Sequence, residues 1–261
     1  YMSGVIGLAR VALARGANAD AVGHAQEAAA TAAEVGGLFL QHQALGCAVR
    51  VALAQGDLPT ALQTALRIAP DIHLGPSLWI ETPRLSQARA LIAAGDEVAL
   101  ARAEEVLAGC LAEIVPLHHT RLLIAALGVQ ALLRQAQGRI DEAVATLGQA
   151  VELAAPRGFV RTFVDLGAGV TPLLRTLAAR GVAPAYLARV LSAFEAEAPT
   201  QTDQVLLQRS MPELLTRREF EILELLAERW SDKEIAERLV IAPNTVRKHT
   251  STIYDKLGVS S

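Results

Sequence analysis

Four polar side chains recur along one short stretch near the C-terminal end of the chain: Asn244, Arg247, Lys248 and Ser251. On a helix opening at Pro243 they fall on one side, and Val246, Thr250, Ile253 and Leu257 fall on the other. Short and long polar groups on one helix face fit the DNA major groove, where base edges present donors and acceptors. Arg247 is suited to a guanine edge, which it can bond through two parallel donors for ~1–3 kcal/mol of discrimination. From 238 to 254 the basic residues Arg238, Arg247 and Lys248 meet no acid, although the whole chain carries a net charge of −3. The footprint is therefore a basic helix and not a basic protein. His249 lies between the two faces and suits packing or a phosphate.

Three helices must position this face. Thr216 and Glu219 have capping-box spacing, as do Ser231 and Glu234. Ile222, Leu223, Leu226 and Trp230 line one side of the first helix, and Ile235, Ala236 and Leu239 one side of the second. Val240-Ile241-Ala242 reads as the tight turn of a helix-turn-helix. Pro243 suits the first position of the third helix, and Gly258 suits its end. The apolar side of the third helix is expected to pack on Ile222, Leu226 and Ile235.

These residues resemble the LuxR-type helix-turn-helix family of bacterial transcription regulators. The matching pieces are L-T-x-R-E at 215–219, S-x-K-E-I-A at 231–236, P-N-T-V-x-x-H at 243–249 and I-Y-x-K-L-G-V at 253–259. Arg229 stands where the family usually has glycine, Asp232 replaces a common asparagine, and Ala242 replaces the usual capping serine. The family normally continues past this point into a fourth helix used for dimer contacts, so the last helix is missing from 213–261. The resemblance implies base or phosphate contacts at Arg247, Lys248 and Ser251, with Thr245 and Lys233 on the DNA backbone. Plain protein-packing modules and the C-terminal region of sigma factors use a similar three-helix pattern.

The chain is 52% hydrophobic overall but only 4% aromatic, which favours close-packed helices over a β-sandwich. A phrase recurs ahead of the DNA-binding stretch. Leu13-Ala14-Arg15-Gly16 leads to Ala21, Leu53-Ala54-Gln55-Gly56 to Ala61, and Gln135-Ala136-Gln137-Gly138 to Ala143. Ile92-Ala93-Ala94-Gly95 is a looser copy, with Leu100 at the alanine position. Each copy reads as a helical hairpin, glycine ending one helix and alanine letting the next pack closely. Hairpins of this kind stack into solenoids with extended concave surfaces. The pattern resembles tetratricopeptide repeats (TPR), though the glycines are 40, 39 and 43 residues apart and the aromatic landmarks are missing. An irregular alanine-rich bundle is the other reading.

Pro70 to Pro83 reads as a connection, with Trp79 as a packing anchor. His118-His119 could start a helix or touch a ligand. The run G-F-V-R-x-F-V-D at 158–165 resembles the segment that ends the helical repeats in the MalT-like branch of LuxR-type regulators, and Phe159 and Phe163 are expected to pin it to the last repeat.

The expected architecture is all-α: a TPR-like sensor or docking domain over 1–195, a linker over 196–212, and a LuxR-type helix-turn-helix domain over 213–261. The expected function is a sequence-specific DNA-binding transcription regulator, and the resemblance favours an activator. Its partners would be double-stranded DNA, RNA polymerase, and a small-molecule effector or protein at the repeats. A helical-repeat interaction scaffold whose C-terminal helices never touch DNA is the alternative. Phosphate-loop, nucleophile-elbow and zinc-protease motifs are lacking, and no lysine precedes Lys233, so neither an enzyme nor a cofactor is expected in this stretch. The MalT-like resemblance implies an ATPase module upstream, and the opening YMSGVIGLARVALARG reads as helix interior, so we expect a piece of a longer protein. Isolated Cys47 and Cys110, no secretory leader and no membrane-length apolar run point to a reduced cytoplasmic protein.

Overall fold

A computed structural model describes residues 1–70, 72, 81–197, 222, 230–239 and 241–257; for 197, 237, 243, 251 and 253–257 it describes the backbone alone. The chain divides into two units, 1–197 and 198–261. All regular structure among the described residues is helical.

The first unit is built from hairpins. Helices α1 (Met2–Ala14) and α2 (Asn18–Val35) form one, and α3 (Leu38–Ala54) and α4 (Leu58–Ala65) the next. The third pairs α5 (Pro83–Ala94) with α6 (Glu97–Ile114), and the fourth α7 (Thr120–Ala136) with α8 (Ile140–Ala154). The recurring glycines close all four. Gly16, Gly56, Gly95 and Gly138 have φ of 70°, 74°, 75° and 76°, a left-handed backbone that strains any residue with a Cβ. In three of these turns the bonding is the same. The N–H groups of Ala17, Asp57 and Arg139 donate to the carbonyls of Ala12, Ala52 and Arg134, a Schellman closure that satisfies orphaned carbonyls. The alanines that follow, Ala21, Ala61 and Ala143, are fully buried, and Leu100 in the looser copy is buried too.

A fifth closure follows, outside the repeating phrase. Val182 N–H donates to Leu177 O beside Gly181, joining α10 (Thr171–Ala179) to α11 (Pro184–Glu197). Before it, the short helix α9 (Arg161–Val164) packs on α7 and α11. Phe163 is fully buried there and meets Tyr186 edge to face, with ring centres 6.3 Å apart, while the Tyr186 hydroxyl donates to Phe159 O. Of the paired histidines, His119 caps α7 by accepting from Leu122 N–H at 3.3 Å, and His118 takes a left-handed backbone just before it. The pair thus serves a helix start.

Close packing between hairpins leaves a legible mark. A Cβ on Gly46 in α3 would stand 2.9 Å from Pro83 Cα at the start of α5. Gly46→Ala is therefore expected to destabilise by about 1–3 kcal/mol, although alanine is the better helix former. Gly23 in α2 has nothing within 4 Å of its Cβ position. Gly23→Ala should stabilise by about 1 kcal/mol. Urea midpoints read both, and a raised midpoint for Gly46→Ala would contradict the packing described.

In the second unit the described helices are α12 (Asp232–Leu239) and α13 (Pro243–Leu257), which pack on each other. The Thr216 capping box, Leu226, Gly258, Trp79 and nearly all of the linker lie outside the described residues.

Candidate nucleic-acid interface and interior cavity

The entry to α12 is fixed by Ser231 and Glu234. Ser231 N–H and Oγ both donate to the Glu234 carboxylate at 2.7 Å, and Glu234 N–H returns a longer bond to Ser231 Oγ. Those bonds hold the Glu234 carboxyl below its usual range. Ile241 N–H donates to Ala236 O at 2.9 Å and closes the turn. Ile222, Ile235, Ala236 and Val246 are buried, so the apolar side of α13 faces inward where it is described. Asn244, Thr245, Arg247 and Lys248 are exposed, as is Lys233 on α12. Ser251 lies on α13, but its side chain is outside the described set.

One neighbour alters the electrostatics of this face. The α13 surface itself carries no acid from 243 to 254, yet Asp232, the first residue of α12, places its carboxylate 3.0 Å from Arg247 Nε. The face is thus less basic than α13 alone implies, because the acid comes from the adjoining helix. Nε faces Asp232, which leaves the two terminal nitrogens as the pair that can reach a base.

Ala242 carries no side-chain acceptor, and its carbonyl receives Thr245 N–H at 2.8 Å. Ala242→Ser is expected to add ~1 kcal/mol to the stability of this unit. An unchanged thermal midpoint of the C-terminal transition would contradict that.

In the first unit, the first helices of successive hairpins pack in a row, α1 on α3, α3 on α5, α5 on α7, and α7 on α9. They line an open cavity of about 750 Å³ and a smaller one of about 320 Å³ that share the walls Arg10, Arg50, Arg89, Arg161 and Asp165. Arg121 and Glu81 line the smaller cavity as well. Glu81, with no side-chain exposure, accepts from Arg50 Nε and Nη2 at 2.9 and 3.1 Å and from Ser86 Oγ at 2.7 Å. Burial pushes the Glu81 carboxyl up, but Arg50, Ser86 and Arg10 outweigh it and hold it below the usual range. Arg10 reaches Asp165 at 2.7 Å, tying α1 to the end of α9 across the cavity, and Arg161 reaches the same carboxylate at 2.6 Å. Asp165 is likewise raised by burial and lowered further by Arg50, Arg10 and Arg161.

Residues 1–180 match the family model described as the MalT-like TPR region, and residues 213–261 match that of the luxR family of bacterial regulatory proteins. The chain belongs to the MalT-like regulators of the LuxR family. It is also 48% identical over 56 residues to the probable transcriptional regulatory protein SgaR of Hyphomicrobium methylovorum. That match covers 22% of this chain and 26% of SgaR, so the chain spans about a quarter of that relative's length. No solved structure matches.

The helix-turn-helix of this MalT-like regulator is legible from its motifs, whereas the arginine-walled cavity has no motif to mark it. A fainter signal for it exists. Arg10, Arg50 and Arg89 each stand six residues before a hairpin glycine, at 16, 56 and 95. The same register in the fourth hairpin holds Leu132, which also lines the larger cavity. The register three residues before each glycine holds Leu13, Leu53, Ile92 and Gln135, and these line it too. Positions three apart share a helix face, so the repeat writes the cavity wall into the sequence twice.

Among the described residues, no helix is long and apolar enough to cross a membrane, and no three metal-ligating side chains cluster.

Proposed function

We propose that this chain is the effector-binding and DNA-binding part of a transcription activator, with α13 entering the major groove. The observation that carries the DNA-binding half is the division of α13 into a buried apolar side at Val246 and an exposed side bearing Asn244, Thr245, Arg247 and Lys248. In this reading Arg247, Lys248 and Ser251 meet bases or phosphates, and Asn244 lies beside them on the same face. Thr245 and Lys233 contact the DNA backbone. The name of SgaR, a probable transcriptional regulatory protein, supports the same role here. RNA polymerase is the partner an activator requires. The domain division at 1–195, 196–212 and 213–261 belongs to this proposal and accords with family matches that leave 181–212 uncovered.

Effector binding is supported by the cavity between the first helices, whose size falls in the range of small-molecule sites. Selecting fragments of the source genome on the full chain and testing them by gel shift decides the DNA-binding half. Recovery of a shared sequence supports the proposal, whereas a chain that retains no duplex supports the scaffold reading.

A further inference from the structure

We infer that the cavity of the helical repeats binds a small hydroxylated organic anion, its carboxylate or phosphate seated at Arg89. This rests on the effector reading and names the chemical class that reading leaves open.

Among the described residues, the two cavities are lined by five guanidinium groups, Arg10, Arg50, Arg89, Arg121 and Arg161. They are lined by only two carboxylates, Glu81 and Asp165. Both carboxylates are already engaged, Glu81 by Arg50, and Asp165 by Arg10 and Arg161. Guanidinium groups thus outnumber carboxylates along the described lining of a groove walled by protein, where field lines concentrate and an anion is drawn in.

Arg89 is the focus of that excess. Its guanidinium has five N–H donors, and among the described residues its one hydrogen bond is a long 3.4 Å contact to Leu166 O. No carboxylate among the described residues lies within ion-pair distance of it. Burial, then the charge of Arg50, pushes the Arg89 guanidinium down to about 10, so it remains a cation at neutral pH. Burial and Arg10 lower Arg121 as well. A partly buried cation with one weak acceptor destabilises the fold, and such arrangements cluster at functional sites. The fork of a guanidinium matches two oxygens of a carboxylate or phosphate.

The rest of the wall describes the ligand's body. Gln135 Oε1, lining the larger cavity, is buried and accepts no hydrogen bond. A ligand hydroxyl or amine supplies the donor it lacks. Leu13, Leu53, Ile92 and Leu132 give the carbon skeleton an apolar surface. Hydroxy acids and sugar phosphates combine these features in a molecule that about 750 Å³ can hold.

The test uses the full chain at low salt, with citrate and glucose 6-phosphate as probes and glucose as the neutral control. Thermal midpoints and calorimetric affinities are read for the unaltered chain and for Arg89→Met, Arg89→Lys and Arg102→Met, the last an exposed arginine outside the cavity. At least one anion is expected to raise the midpoint, glucose is not, and Arg102→Met is expected to respond like the unaltered chain. Arg89→Met is expected to have an equal or higher midpoint without ligand, and affinity for the anion weakened by roughly tenfold or more. Should Arg89→Met fail to fold, Arg89→Lys decides: charge without the fork is expected to weaken binding measurably. The inference is overturned if neither anion raises the midpoint, if the Arg89 variants bind as tightly as the unaltered chain, or if Arg102→Met loses as much. A response to glucose alone overturns the anionic class while leaving an effector cavity standing. The gel shift reports on DNA binding independently of all these arms.

Discussion

Glu81→Ala is expected to cost the helical-repeat unit about 3–5 kcal/mol, because it leaves a largely buried guanidinium, 17% exposed, without its fully buried carboxylate. The Glu81 side chain has no solvent exposure and accepts from Arg50 twice, from Ser86, and from Thr82 N–H. Removing it leaves the Arg50 guanidinium next to Arg89 and Arg10 without its hydrogen-bonded carboxylate, with only the charge of Asp165, already held by Arg10 and Arg161, nearby. Replacing both partners is a different experiment, because the double substitution Glu81→Leu with Arg50→Leu leaves neither half of the pair behind. It should cost less than Glu81→Ala alone, and denaturant midpoints of the three proteins compare them. A Glu81→Ala midpoint equal to that of the unaltered chain would show that this pair does not hold α3 to α5.

The same carboxylates set an acid limit on the fold. Glu81 and Asp165 are held below the usual carboxylate range in the folded chain. A carboxyl depressed on folding contributes stability that is fully present above its unfolded-state value, near 4. That stability is lost as pH falls through the folded values. The unit should therefore hold its midpoint from neutrality to about pH 5 and lose it steeply below about pH 4. In Glu81→Gln the slope in that acid window should be shallower.

Arg247→Ala carries the second large effect, on recognition. The guanidinium is well exposed on α13, with Asp232 against its Nε and the terminal nitrogens left for a base edge. Loss of a bidentate base contact removes ~1–3 kcal/mol of preference for the selected duplex over a shuffled one. Lys233→Ala is the contrast. A lysine facing phosphate adds charge without reading sequence, so its loss should weaken both duplexes alike and flatten the salt dependence. Equal weakening of both duplexes by Arg247→Ala would mean that this side chain does not read bases.

Legibility in the sequence follows the chemistry of individual residues. A glycine at a left-handed turn has no substitute of equal cost, so Gly16, Gly56, Gly95 and Gly138 announce four hairpins by residue type and spacing alone. The closure at Gly181 has the same bonding and a similar phrase, Ala178-Ala179-Arg180-Gly181, but Tyr186 stands five residues on, where the hairpins carry an aliphatic residue, so it does not read as a further copy. An arginine on a helix is ordinary surface by default. Arg10, Arg50 and Arg89 become a wall only when α1, α3 and α5 stack, and that depends on contacts between residues about 40 apart. The Arg247–Asp232 pair is hidden for the same reason: its partners lie on different helices, 15 residues apart.

One titration decides whether α13 reads DNA sequence. Affinity of the full chain for a duplex recovered by genomic selection is compared with its affinity for a shuffled duplex over a range of salt. The expected result is a linear fall of log affinity with log salt for both duplexes, with the selected duplex bound more tightly at every point. Identical affinities throughout, or no binding at low salt, would contradict the claim and leave the helical repeats as the whole of the function.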